Sequence, residues 1–145
     1  MKWAGYELRK AYFDAIGNNI TVSGNPIKVY DMEAPIGSAR PFIIIGSYVQ
    51  TNDQNTKDGF GGTGTLNVEV NTEVVVPYGG RKQADEIMNS ITTLIHPTTG
   101  NVNLTSTNFN FISVELVGSY DGFNDGDSET NYRVVSILQH KFFEK

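Results

Sequence analysis

The stretch Gly64-Thr-Leu-Asn-Val-Glu-Val-Asn-Thr-Glu-Val-Val-Val76 runs through the turn Pro77-Tyr78-Gly79-Gly80 into Arg81 to His96, and the change of pattern across that turn decides the fold. In the first half Leu66, Val68, Val70, Val74 and Val76 share one face, while Asn67, Glu69, Asn71 and Glu73 share the other. A strict period of two predicts a half-buried strand. In the second half the apolar set is Ala84, Ile87, Met88, Ile91, Leu94 and Ile95, at helical spacing. Asp85 and Glu86 sit in early turns, where the helix dipole favours acids, and Pro97 forbids continuation. A helix that leaves a strand in this way packs back on the sheet, so the fold class read here is α+β.

Working outward from that junction, Trp3 to Ile16 reads as a second helix, with Ala4, Leu8, Ala11, Tyr12, Ala15 and Ile16 as its stripe and Gly17-Asn18-Asn19 as its end. Trp3, Tyr6 and Phe13 lie off the stripe and read as a wider buried face, the alternative being a subunit contact. Ile20 to Val22 and Ile27 to Tyr30 flank Ser23-Gly24-Asn25-Pro26 and predict a small extra hairpin. Phe42 to Val49, apolar on both faces, predicts a central strand. Phe109 to Tyr120 and Asn131 to Phe143 predict two further long strands paired antiparallel, with Ile112, Val114 and Leu116 on one apolar face of the first. Together these give one domain over residues 1–145: an antiparallel sheet of long strands packed by two helices, with the small hairpin beside it. The expected core includes Leu8, Tyr12, Ile43, Ile45, Leu66, Val68, Val70, Ile87, Ile91, Val114 and Leu138.

Composition removes several classes of function. With no cysteine among 145 residues, neither a disulfide framework nor a thiolate metal site is available. No apolar run approaches the roughly 18 residues a spanning helix needs, so no membrane association is expected. A net charge of −5 argues against a domain-wide phosphate-binding surface and against sequence-specific nucleic-acid binding. His96 and His140 fall on different elements with no nucleophile or metal-ligand spacing beside them, so each reads as a surface or capping residue and no catalytic site is expected.

Two polar segments stand out as contact elements. Residues 51–63 hold one large apolar residue among polar ones and glycines, and supply the candidate contacts Asn52, Asp53, Lys57, Asp58 and Phe60. A strand follows those glycines where a phosphate cradle would need a helix N-terminus. Residues 121–129 read as an acidic loop with candidate contacts Asp121, Phe123, Asp125, Asp127 and Glu129. As a calcium loop begun at Asp121 it fails, because Phe123 stands at the third position and Tyr132 at the twelfth, where ligands belong. No cofactor or metal is expected.

Strand length points to assembly. Thirteen residues at roughly 3.3 Å each give about 43 Å, whereas a compact chain of this size has a diameter near 38 Å. Long exposed edges have to be covered, and another copy of the chain is one cover.

Helix, small hairpin, the strand Arg40-Pro41-Phe42-Ile43-Ile44-Ile45, a polar Gly-rich loop, a long alternating strand, the helix opening Gly-Gly-Arg-Lys-Gln-Ala-Asp-Glu-Ile, and two closing strands follow one another in this chain. That order resembles the tail-completion, or tail-terminator, proteins of long-tailed bacteriophages, and the likeness runs over nearly the whole chain. Its most telling pieces are Pro41 to Ile45, the junction at 74–88, and Tyr132 to Phe143. The resemblance implies a structural virion protein with no catalytic residues, made in the host bacterial cytoplasm. It implies assembly as a homo-oligomeric ring, usually of six, at the head-tail joint between the head-side connector or portal-associated proteins and the tail tube protein, with DNA passing through the lumen. The 51–63 and 121–129 segments depart from the common pattern. The alternatives are a neck or connector ring of a short-tailed phage, with twelve copies, and a small ligand-binding α+β domain, for which a cluster of polar residues at strand ends would be needed.

Overall fold

In the computed structural model residues 3–53, 65–77, 80–97, 101–126 and 129–145 are described, those at 52–53, 65–73, 77, 123–126 and 129–131 as backbone alone. Strand β5 (Thr65–Pro77) and helix α2 (Arg81–Ile95) form where the change of period places them. β5 is the middle of a five-stranded sheet ordered β3-β4-β5-β7-β6, in which β3 is Lys28–Asp31, β4 is Phe42–Asp53, β6 is Phe109–Gly126 and β7 is Glu129–Glu144. The first helix, α1 (Gly5–Ile16), buries Leu8, Ala11, Tyr12 and Ile16, while α2 buries Ala84, Ile87, Met88, Ile91 and Ile95. Both stripes share one core with Ile43, Ile45, Val74, Val76, Leu138 and Phe142, so the two helices lie on the same face of the sheet.

The sheet is mixed where an antiparallel one was expected, because β3 runs parallel to β4. The expected hairpin is correspondingly shorter: β1 (Thr21–Val22) pairs with β2 (Asn25–Pro26), Ile27 N–H donates across it to Ile20 O at 2.9 Å, and residues 28–30 leave it for the large sheet. Ser23 and Gly24 both adopt positive φ, 51° and 81°, the requirement of the tight turns whose twist matches paired strands. That turn closes the hairpin within six residues and frees Lys28–Asp31 to join the large sheet. Residues 32–41 then return the chain to the start of β4, the crossover that parallel pairing needs.

β4 is consequently not the central strand. It lies between β3 and β5, and its two apolar faces serve two clusters: Ile43 and Ile45 face the helices, while Phe42 and Ile44 pack with Val75, Tyr30 and Ala34 on the other side. A register shift between Ile45 and Tyr48 then turns Tyr48 toward α1. There it accepts a hydrogen bond from Trp3 Nε1 at 3.1 Å, and a Cβ placed on Gly5 would lie 1.7 Å from its hydroxyl oxygen. Glycine lets the first turn of α1 rest on that ring.

The wider buried face expected of α1 is only partly present. Phe13 packs against the core, but Trp3 and Tyr6 stand exposed. The apolar face expected of β6 is interrupted for a different reason: register shifts between Phe111 and Ser113 and between Leu116 and Gly118 insert one extra residue each time. Phe109 is buried and Phe111 and Val114 pack on the core, whereas Ile112 and Leu116 are exposed. Of the expected core, Leu8, Tyr12, Ile43, Ile45, Ile87, Ile91 and Leu138 are buried and Val114 is half-buried; the side chains of Leu66, Val68 and Val70 lie outside the description.

The chain between α2 and β6 ties the helices to the sheet. Asn103 donates from its backbone N–H to Ile95 O at 2.7 Å and from its side chain to Leu94 O at 3.0 Å, satisfying carbonyls that a helix end leaves open. Glu7 of α1 accepts from Asn108 N at 3.1 Å and also from the Ser106 hydroxyl and the Asn108 amide. With Ile91 fully buried between helix and sheet, Ile91→Ala should lower stability by about 2–5 kcal/mol. Chemical denaturation of the two proteins measures this, and a loss under about 0.5 kcal/mol would mean that the α2 stripe is not packed.

Candidate interaction surfaces

The residues expected to make contacts do not form one patch. Asn52 and Asp53 end β4, pairing with Leu66 and Thr65, and Thr65 pairs in turn with Phe143. Asp121, Phe123, Asp125 and Glu129 lie at the other end of the sheet, where Pro77 of β5 meets Asn131 of β7. Twelve residue steps along β7 separate these ends, or about 40 Å at strand rise. Lys57, Asp58, Phe60 and Asp127 lie outside the described residues.

The acidic segment is not the loop that its composition suggests. β6 continues to Gly126 and β7 begins at Glu129, with Asp121 opposite Val134, Phe123 opposite Tyr132 and Asp125 opposite Thr130. Asp121 is held locally: Tyr132 donates its phenol proton to the carboxylate and Arg81 of α2 lies 3.2 Å from it. The Tyr132 hydrogen bond is the main reason that the Asp121 carboxyl is lowered from its usual range, and the same bond raises the Tyr132 phenol. Among the described residues no group of three or more histidines and carboxylates gathers for a metal.

Apolar exposure is what the sequence left unmarked. On β6, Ile112 and Val117 are the inserted residues of the two register shifts and stand 53% and 54% exposed, beside the exposed Leu116 and Tyr120. A trace of this is present in the chain, since Phe111-Ile112 and Leu116-Val117 are the two places in the strand where apolar residues follow one another. Beneath Leu116 an open groove of about 210 Å³ is walled by Thr92, Thr93 and His96 at the end of α2 and by Val114 and Leu138 of the sheet. At the β3 side of the sheet, Met32 is exposed and Ile36 fully so. Ile36 belongs to the turn Pro35-Ile36-Gly37-Ser38, closed by Ser38 N–H donating to Pro35 O at 3.1 Å, with Gly37 at φ 82°. Ile36 takes the second position and the positive-φ Gly37 the third, a tight turn that leaves the isoleucine exposed at its corner.

A second groove, of about 440 Å³, runs along α1 between Lys10, Asp14 and residues 105–108. Its charges are already matched, Lys10 Nζ to Asp14 at 2.7 Å and Glu7 to Ser106 and Asn108, so it offers a ligand little unmatched charge.

The two histidines part company. His96 caps the exposed end of α2, as expected, but His140 is fully buried in the core, where its Nε2 shares a hydrogen bond with the Tyr12 hydroxyl. A histidine on the core-facing side of an alternating strand reads as polar, although its ring is large enough to pack edge-on against Tyr12, with centroids 5.3 Å apart. The pair joins α1 to β7 across the core.

No protein-family sequence model matches this chain, and no curated protein does. Among solved structures, its fold is similar to that of a chain in the "Virion of native gene transfer agent (GTA) particle", with a TM-score of 0.62 and 10% identity over 97% of this chain and 90% of that one. At that identity the likeness is one of fold.

Burial holds the Tyr12 phenol well above its ordinary value, because the phenolate would lose its hydration in the core. The folded state thus keeps a proton that the unfolded chain releases near pH 10, and stability present below that pH is lost as pH rises above it. Melting curves from pH 8 to about 11 should show that decline, and Tyr12→Phe should flatten part of it. An identical decline in the variant would assign the alkaline loss to other groups.

Proposed function

We propose that this chain is a structural protein of a phage-like virion, one subunit of a ring at the head-tail joint that ends the tail tube and joins the tail to the head. The observation that carries the reading is the likeness of fold, along nearly the full length of both chains, to a component of a gene transfer agent virion. Its neighbours in this reading are further copies of itself, head-side connector or portal-associated proteins, and the tail tube protein; it has no catalytic role.

The architecture suits such a position. β6 and β7, of 18 and 16 residues, are too long for a small domain to enclose and carry surface at both ends of the sheet. Two contact regions about 40 Å apart can serve two different neighbours, one on each side of the ring. A net charge of −5 also suits a ring whose lumen passes DNA without holding it.

Removing the coding sequence from a particle-producing genome should leave filled heads and separate tails, and supplying the protein in trans should restore joined particles, both scored by electron microscopy. Joined particles at normal yield without the protein would defeat the reading. The contacts assigned above to the 51–63 segment have their own test. Replacing residues 54–62 by a short Gly-Ser turn changes loop-closure entropy by only about 0.6 kcal/mol per halving of length. The purified subunit should therefore melt as the parent does while particle joining falls. Normal joining would remove that segment from the contacts.

A further inference from the structure

We infer that the buried joint between Tyr12 and His140 makes the seat of α1 sensitive to mild acid, so that below about pH 6 the first helix lifts from the sheet more readily while β5, β7 and α2 keep their packing. The device belongs to the single subunit and is independent of the ring reading.

His140 is fully buried on the side of β7 that faces the helices. Its register partners are Val68 of β5 and Val114 of β6, Leu138 and Phe142 share its face of β7, and Tyr12 of α1 closes over it with its ring edge-on. The imidazole is thus set among aliphatic and aromatic neighbours, with a phenol as hydrogen-bond partner. The charged groups on the surrounding elements are engaged or placed elsewhere. On α1, Lys10 pairs with Asp14 and Arg9 with Asp31 at the surface, and Glu7 is held by Ser106 and Asn108. Glu69 of β5 and Glu115 of β6 both pair with Gln139, one position out of line with His140, and Lys141 follows it on the alternate, exposed side. The buried residues of α2 include no titratable group.

A neutral imidazole fits this seat whichever ring nitrogen carries the proton, since Nε2 and the phenol share one hydrogen bond between them. The imidazolium does not, because its charge would have to leave water for the core. Once exposed, the same ring takes up a proton near pH 6.5, so below that pH the open state binds more protons than the docked one. Docking is therefore at full strength above about pH 6.5 and weakens as the pH falls, by up to about tenfold in the docked-to-open ratio per pH unit.

The helix that responds is α1. It covers His140 directly, and its departure breaks no rung of the β5–β7 ladder. Its first turn also lacks a side-chain cap, with Ala4 at the N-cap position. By contrast α2 is held by an apolar stripe and by the neutral bonds from Asn103, which acid leaves intact. Asp121, whose carboxyl the Tyr132 hydrogen bond lowers, stays ionised through mild acid and keeps Arg81 beside it.

Hydrogen exchange of the full chain from about pH 7.5 to about pH 5, read by mass spectrometry on peptides from the two helices and corrected for intrinsic rates, measures the device. Protection of α1 should fall more than about tenfold further than that of α2. His140→Gln keeps a hydrogen-bonding group and gains no proton, so it should remove the excess, whereas Glu7→Gln should leave it. Should His140→Gln fail to fold, imidazole NMR of the parent, with the two histidine signals assigned through His96→Gln, shows the same thing: His140 should gain its proton only as α1 opens. Three results each overturn the inference. They are an equal fall in both helices, an excess that survives His140→Gln or vanishes in Glu7→Gln, and a His140 signal that titrates near pH 6.5 while α1 stays protected.

Discussion

Everything in this molecule hangs on the uninterrupted ladder between β5 and β7, which pairs thirteen residues from Thr65↔Phe143 to Pro77↔Asn131 without a shift. Register in a sheet is all or nothing, because a slip of one residue would turn Val134, Leu138 and Phe142 away from the helices. With that ladder set, α2 leaves the end of β5 already aimed across the core-facing side of β7, and α1 fills the remaining width against β4. The irregular pairings flank this regular pair. β4 shifts register against β5 between Ile45 and Tyr48, and β6 shifts twice against β7. The centre is rigidly specified and the margins are where the chain departs from regularity.

What could be read from the residues follows that division. The β5–α2 junction, the stripes of both helices and the alternating face of β7 were legible because a single period runs through each, and burial follows it at Leu8, Ile87, Ile91, Val134 and Leu138. The partnership of residues 27–31 was not legible. Nothing in Ile27-Lys-Val-Tyr-Asp31 distinguishes a hairpin arm from an edge strand, and the deciding fact is that Ser23 and Gly24 close the turn early enough to release them. Residues 121–126 were hidden by composition, since their aspartates and glycines are turn formers that the long ladder of β7 draws into pairing all the same. The exposed apolar edge was hidden by an assumption of unbroken alternation, which one inserted residue reverses.

Polarity marked two segments as candidate contacts, and the register shows that their described ends occupy opposite ends of the sheet. The exposed apolar side chains of β6 leave only the doubled pairs Phe111-Ile112 and Leu116-Val117 as a mark in the sequence, because isoleucine and valine look the same there whether they are buried or exposed. Tyr12 and His140 make the converse case. Tyr12, placed in the core by its stripe, meets there His140, which read as a surface or capping residue, and the two join the first helix to the last strand.

That joint has a consequence for how the protein is made. Tyr12 meets His140 across 128 positions, and Glu7 meets Ser106 and Asn108 across 99 and 101. On a ribosome, α1 and the β3-β4-β5 part of the sheet emerge long before the strand that completes their surroundings. β5 meets β4 early but lacks its other neighbour, since β7 is among the last strands to appear. Contacts of such separation close slowly, and a chain that folds only once it is nearly complete exposes its stickiest surfaces to whatever is near in the meantime. The yield of native subunit should therefore depend on how crowded the polysome is and on the chaperones that meet the nascent chain.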